Sequence, residues 1–377
     1  MKLFLLLQGK EVSDQIGVDD GFKRLLSDGV LSAYRPLPYF GSAEAIGWPD
    51  TWARALHEIR GMRADVVFLQ YFHGAIPDPA PFIEQVRGLP WRPSVVTSSG
   101  DGFGRFTRRA PPSLRTASRL SDLTFASQMG GVARDLVRGG ARRIVLMPNG
   151  YCQVRFDADL NPGAYRPEFD VVVIGNGGRH RNPTHFMFYA KMRRLRQAAA
   201  LFERYGAGFG LFGTGWDGCR GAQGPVPYAR QIEIIRRARI VVGAIPQAAM
   251  DYYTSDRAQI AIRSGIPYVE FHIPRTERLF LDGEHWHLVH DMKEMLARCD
   301  ALLAMNDGER LALGARAAAH MVAGHSQFHR TRLMAEIIRQ VREADLAGRA
   351  APLPHLDFFA PGVRLEEEWP HAVLGWP

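Results

Sequence analysis

The chain has 377 residues, 46% hydrophobic and 23% charged, with 38 Gly and 24 Pro scattered as punctuation between apolar runs; this excludes collagen-like, coiled-coil and low-complexity architectures and predicts an ordered globular protein of roughly two domains. Lys and Arg number 47 against 39 Asp and Glu, and the net charge of +8 suits anionic ligands: small-molecule phosphates, an anionic membrane surface or nucleic acid. Cys152, Cys219 and Cys299 are far apart and show no C-x-x-C spacing, which excludes a disulfide-stapled module and a thiolate zinc site and points to a reducing compartment.

The first apolar run, Leu3 to Leu7, is too short for a signal peptide and no small-residue cleavage site follows, so it is read as a buried strand. No stretch approaches the roughly 18 to 20 apolar residues of a membrane span, and a cytoplasmic protein is expected. Further strand-length runs follow at Ala64 to Gln70, Ser94 to Thr97, Leu123 to Ala126 and Arg143 to Met147, with helix candidates at Gly21 to Leu26, Thr51 to Arg60, Pro81 to Arg87, Pro112 to Ser118 and Gly130 to Arg138. The rhythm breaks at Asn161-Pro162-Gly163 and restarts with strands at Phe169 to Gly175, Gly208 to Gly213, Arg239 to Gly243 and Pro267 to Phe271. Two tandem Rossmann-like α/β domains are predicted, over residues 1–165 and 166–335. A last helix from about Arg330 and a Pro- and aromatic-rich tail, 336–377, should pack back across the domains, since Phe358, Phe359, Trp369 and Trp376 are costly to leave exposed.

Ligands of doubly wound folds bind at the carboxyl ends of the strands, so the strand-end loops are the places to search. Gly175-Asn176-Gly177-Gly178-Arg179-His180-Arg181 offers backbone N–H groups and forked cations to an anion, or is a plain glycine turn; it matches neither the dinucleotide fingerprint nor the P-loop. Gly213-Thr214-Gly215-Trp216, followed by Gly224-Pro225-Val226-Pro227-Tyr228, offers aromatics that frame a base or pack in the core. In Asp251-Tyr252-Tyr253-Thr254-Ser255-Asp256-Arg257, Ser255 or Asp256 caps the helix Ala258 to Arg263, whose positive end is free to hold a diphosphate or is an ordinary capped terminus.

In order and spacing these motifs resemble the CgeB-like branch of the GT-B glycosyltransferases: a strand and Gly loop with Arg, then G-x-G-W, then G-x-V-x-Y, then Y-x-S-D-R before a helix ending in Gly265-Ile266-Pro267. The likeness covers residues 169 to 335; the first half matches in architecture alone. It implies a GT-B fold, two Rossmann-like domains facing each other across a cleft, with the second binding a nucleotide-sugar and the first an acceptor. It implies further that Gly175, Arg179 and Arg181 meet the diphosphate, that Val226 meets the base through its backbone, that Gly213, Trp216 and Tyr228 shape the pocket, and that Ser255 with Asp256 and Arg257 holds the phosphates. Asp251 then meets sugar hydroxyls, and His73, after the strand ending at Gln70, lies against the donor sugar. Asp101 is a candidate for acceptor hydroxyls or for a general base. The implied chemistry is metal-independent and retaining, with no cofactor beyond the nucleotide-sugar. One position departs: where the retaining group carries a ribose-binding Glu, this chain has Ile260 beside Gln259.

Two sequences mimic metal sites. Asp157-Ala158-Asp159 spells D-x-D away from any strand-end loop, and His285-Trp286-His287 with His290 lacks a recognised ligand set; neither is read as a metal site. The acceptor class, whether small molecule, glycan, protein or nucleic acid, and the oligomeric state stay open. So does peripheral contact of the Arg105 to Arg119 cluster with an anionic membrane. The alternatives are a nucleic-acid-binding or DNA-modifying protein using the basic loops, and an inactive nucleotide-binding GT-B domain.

Overall fold

The computed structural model describes residues 1–72, 75–100, 110–157, 165–178, 186–243 and 250–376. By its internal contacts the chain forms two units, the first of Met1–Val154, Gln327–Asp357 and Gly362–Pro377, the second of Arg155–Ser326 and Phe358–Pro361.

The first unit opens with β1 (Lys2–Leu7), α1 (Ile16–Ser27), β2 (Ala33–Pro38), α2 (Tyr39–Met62), β3 (Val66–Leu69) and α3 (Ala80–Arg87). It continues with β4 (Ser94–Ser99), α4 (Pro112–Leu120), β5 (Leu123–Ala126), α5 (Gly131–Arg138) and β6 (Ile144–Leu146). These six strands lie in the order β6-β5-β4-β3-β1-β2, all parallel. Parallel sheets carry helices on both faces, which explains why Leu3 to Leu7 is apolar at every position and fully buried. β2 was invisible to periodicity because Pro36 and Pro38 interrupt it; an edge strand tolerates them, since one side needs no donors.

A short α6 (Gln153–Phe156) leads into the second unit: β7 (Phe169–Ile174), α7 (Phe186–Tyr205), β8 (Phe209–Phe212), β9 (Ala222–Gly224), α8 (Gln231–Ile235), β10 (Ala238–Val242) and α9 (Asp256–Arg263). β11 (Tyr268–Phe271), β12 (His287–Val289), α10 (Met292–Ala304) and α11 (Asp307–Gly324) complete it. The strand order is β12-β11-β10-β7-β8-β9, again parallel throughout. Val171, Val173, Leu211, Ile240, Val242 and Val269 form its core against Leu201 of α7 and Met295 of α10.

The chain then adds α12 (Gln327–Leu346), α13 (Leu365–Ala372) and β13 (Val373–Leu374). α12 belongs to the first unit, with Arg143 and Asp345 joined by two hydrogen bonds of 3.0 and 2.7 Å. Of the tail, β13 pairs antiparallel with β6, and the indoles of Trp369 and Trp376 donate to the carbonyls of Pro354 and Ala351. Phe358–Pro361 is part of the second unit, where the Ala360 N–H donates to the Arg278 carbonyl at 2.8 Å.

Candidate functional site

Each sheet reverses its winding once, between β1 and β3 in the first unit and between β7 and β10 in the second. At such a switch the loops leave neighbouring strands in opposite directions and open a crevice at their carboxyl ends. In the second unit this crevice holds a partly open pocket bounded by Gly175 and Asn176 after β7, Gly243 after β10, Arg194 of α7, Gln231 of α8, and Ser255, Arg257 and Ala261 of the α9 turn.

Glycines let its walls close. Gly213 has φ of +131°, and a Cβ there would collide with the Gly175 carbonyl oxygen. The Gly175 carbonyl instead accepts from the Trp216 indole N–H at 2.7 Å, while the Gly177 N–H donates to the Thr214 carbonyl at 2.9 Å. The two glycine loops after β7 and β8 are thereby laced together. Gly243 is constrained from the other side, because a Cβ would strike the Glu270 carboxylate and the Tyr268 hydroxyl.

The electrostatics are cationic over a buried acid. The Arg194 guanidinium donates to the Asn176 carbonyl at 2.9 Å, and it is held below the ordinary arginine range first by burial and then by the like charge of Arg257. Arg257 is exposed at the pocket wall and makes no ion pair among the described residues. Glu270 is 1% exposed and accepts from the Tyr268 hydroxyl at 2.5 Å and from the Phe271 N–H at 2.9 Å. Burial, and after it this carboxylate, pushes the Tyr268 phenol well above its ordinary pKa, so it stays protonated and donating. The Ser255 hydroxyl caps α9, accepting from the Ala258 N–H at 3.2 Å. Gln231 lines the pocket with a buried carbonyl oxygen that has no hydrogen-bond partner among the described residues. Two arginines, a helix N-terminus and glycine backbone are the kinds of donors that an anion with several oxygens takes.

Of the residues singled out from sequence, the structure brings together Gly175, Ser255 and Arg257 in the pocket. Gly213 stands behind the wall and fixes it, and Asp256 is the exposed first residue of α9. Trp216, read from sequence as framing a base or packing in the core, is 3% exposed and part of the hydrophobic core, and its indole donates to the Gly175 carbonyl at the pocket wall. Val226 and Tyr228 are not among the pocket's lining residues; Tyr228 is 40% exposed and meets the Phe156 ring edge-on at 5.3 Å. Asp251 is half-buried in the turn before α9, beside Tyr252, whose φ is +63°. His73, Asp101, Arg179 and Arg181 lie outside the described residues, as do Arg105, Arg108, Arg109 and Asp159.

Ile260 is 1% exposed and Gln259 fully buried, so this face of α9 belongs to the core, whereas Arg257 and Ala261, four residues apart, share the face that lines the pocket. Sequence reasoning missed Glu270, although a lone acid in the apolar run Pro267-Tyr268-Val269-Glu270-Phe271 is a signal in itself: a buried charge must be partnered. Arg194 was legible only as one of the basic cluster Arg179, Arg181, Arg193, Arg194 and Arg196 that suits anionic ligands, and nothing local separates it from the others. Asp157 pairs with Arg263 at 3.0 Å, and the His285 ring stacks on His320 with centroids 3.8 Å apart.

Comparison with known proteins bears on this arrangement directly. Residues 188–337, which carry most of the pocket, match the family model described as glycosyl transferase-like. A trehalose-6-phosphate structure from E. coli bound with UDP-2-fluoro glucose superposes with a TM-score of 0.57 at 11% identity, covering 90% of this chain and 99% of that one. The fold is GT-B. The same GT-B architecture relates the chain to Anabaena HepE in complex with UDP and glucose (TM-score 0.55, 13% identity, 90% and 99% covered). It also relates it to a UDP-forming α,α-trehalose-phosphate synthase from Burkholderia vietnamiensis (0.57, 11%, 91% and 98%). No curated protein sequence matches the chain. No helix among the described residues is long and apolar enough to cross a membrane.

Proposed function

We propose that this protein is a glycosyltransferase that takes a nucleoside-diphosphate sugar as donor, with the diphosphate in the second unit's pocket. The supporting observation is the pairing of Arg194 and Arg257 with the α9 N-terminus at the switch point between β7 and β10. UDP is the leading nucleotide, because it is the one bound in the E. coli and Anabaena structures that share the fold. The motif order resembles that of the CgeB-like branch, and Arg179 and Arg181, which follow Gly178 in the sequence, are proposed as further cations for the diphosphate.

In the reaction the bond between the anomeric carbon and the diphosphate oxygen breaks, and negative charge grows on the leaving phosphate. Arg257 and the α9 N–H groups stand where that charge develops, which is where donors lower a barrier most. Arg194, anchored on the Asn176 carbonyl, is held in place by the protein before the donor arrives. Since fixed cations and a helix terminus neutralise the diphosphate, the reaction is proposed to be metal-independent. It is proposed to be retaining: the departing phosphate oxygen takes the acceptor proton, so no strong protein base is required. Were the reaction inverting, Asp101 or His73 would be the base to test.

The test is thermal stabilisation by UDP, other nucleoside diphosphates and their sugars, in the wild type and in Arg257→Ala. A selective shift that is weakened in the variant supports the reading. No shift with any nucleotide, together with salt-dependent binding to duplex DNA, would replace it with the nucleic-acid-binding alternative. A nucleotide shift without sugar release or transfer would identify an inactive nucleotide-binding GT-B domain.

A further inference from the structure

The first unit has its own crevice at its own switch point. The loop after β1, Gln8 to Gln15, and the first turns of α2 enclose an open depression of about 1040 Å³ lined by Gln8, Lys10, Gln15, Phe40, Glu44 and Trp48 among others. The loop is tightly held. The Phe40 and Gly41 N–H groups donate to the Gly9 carbonyl at 3.1 and 3.3 Å, and the Asp14 carboxylate accepts from the Lys10 N–H at 2.7 Å and the Glu11 N–H at 3.2 Å. α2 is broken at Gly47, whose φ of +81° interrupts the helix just before Trp48 and Pro49. The break is secured by the Thr51 hydroxyl, which donates to the Gly47 carbonyl at 2.8 Å. Trp48 is thereby set at the depression, half-buried, its ring 5.2 Å from Trp52 and 6.0 Å from Phe40.

We infer that this depression binds the acceptor as an uncharged saccharide, with a sugar face against Trp48 and its hydroxyls on Gln8, Gln15 and Glu44. Charge argues against an anion: among the described residues the lining holds one ammonium, Lys10, against two carboxylates, Asp14 and Glu44, and the ammonium already pairs with Glu44 at 2.6 Å. A phosphate-bearing lipid or a nucleic-acid backbone would meet net negative charge here. Chemistry decides for a polyol: the side-chain amides of Gln8 and Gln15 and the Trp48 indole N–H have no hydrogen-bond partner among the described residues, and they stand beside an aromatic wall. An aromatic face matches the C–H face of a pyranose, while amides donate to and accept from its equatorial hydroxyls and a carboxylate accepts from them. The assignment of the saccharide as acceptor rests on the proposed transferase reading; the saccharide site does not.

The test is saturation-transfer NMR on the whole chain with a fixed panel of glucose, galactose, mannose, N-acetylglucosamine, maltose and cellobiose, for wild type, Trp48→Ala, Trp48→Phe and Gln15→Ala, with UDP stabilisation measured on each. The expected result is saturation of at least one sugar that falls about fivefold or more in Trp48→Ala, less in Trp48→Phe and Gln15→Ala, with UDP stabilisation unchanged. If Trp48→Ala loses its folding transition, Gln15→Ala carries the comparison. If UDP stabilises the protein and no sugar in the panel gives a Trp48- or Gln15-dependent signal, the inference is overturned and the donor reading stands. If a sugar binds at Trp48 and no nucleotide stabilises the protein, the saccharide site stands and its role as acceptor falls.

Discussion

The two sheets share one construction and carry opposite chemistry at their switch points. In the second unit, glycine loops, Arg194, Arg257 and the capped start of α9 surround the crevice; in the first, amides, a paired lysine and Trp48 do so. Strand order sets where a crevice opens, since a reversal of winding splays the loops in either sheet. What enters is set by a few residues on those loops, so one scaffold can present a cationic site in one unit and an aromatic, amide-lined one in the other.

Substitution of Gly213 strikes hardest at the second site. Gly213→Ala puts a Cβ against the Gly175 carbonyl at a φ of +131°, so loss of roughly 3 kcal/mol of stability and of most nucleotide binding is expected. Thermal unfolding with and without UDP reads both, and an unchanged UDP shift would show that the laced loops are irrelevant to the ligand.

Acid should separate the units. His285 and His287, in the second, are 6% and 4% exposed and each pushed down to about 4, chiefly by burial, with His320 and Arg298 respectively adding to it. Unfolded, they bind protons near 6.5, so below that pH the unfolded state holds more protons than the folded one. Stability is therefore complete above about 6.5 and falls as the pH drops toward 4, by on the order of 2 kcal/mol per histidine. His329 of the first unit is shifted the same way, by burial first, so the comparison is one of degree. Hydrogen exchange at pH 7 and pH 5 should show protection lost earlier around β12 than around β1; equal loss in both would contradict the assignment.

Arg257→Ala tests charge without structure. The side chain makes no ion pair among the described residues, so the melting temperature of the free protein should hold while UDP affinity drops about 10- to 100-fold, the worth of a charge-assisted hydrogen bond. The same substitution should leave saccharide binding in the first unit untouched. Trp216→Phe is the mildest case: it removes the 2.7 Å bond to the Gly175 carbonyl and keeps most of the core volume, with an expected cost of about 1 kcal/mol in thermal unfolding.

Much of this architecture was legible in the sequence because parallel strands buried on both faces read as unbroken apolar runs. Leu3 to Leu7, Val66 to Leu69 and Val171 to Ile174 announce themselves in that way. β2, β9, β12 and β13 did not, since edge strands need neither continuous apolarity nor a full set of donors, and Pro36 and Pro38 disguise the first of them. Of the site, the backbone elements were legible: Gly175 at a strand end, and Ser255 as a cap before Arg257, follow from rules that span three or four residues. The direction in which a side chain faces does not follow from such rules. Trp216 was readable as a platform or as core, and only the packing around Val171, Leu211 and Val242 placed it inside.

The sequence by itself determined two α/β units, a GT-B arrangement of motifs and the loops on which a phosphate site could form, because each of these depends on local pattern and spacing. Tertiary structure alone decided that Arg194 from α7 joins Arg257 from α9 at one pocket, that Glu270 is buried beside Tyr268 next to Gly243, and that the break in α2 sets Trp48 over the loop after β1. Arg194 and Arg257, Glu270 and Gly243, and Trp48 and the loop after β1 lie tens of positions apart in sequence, and their proximity is fixed by strand order and close packing, which no local window contains.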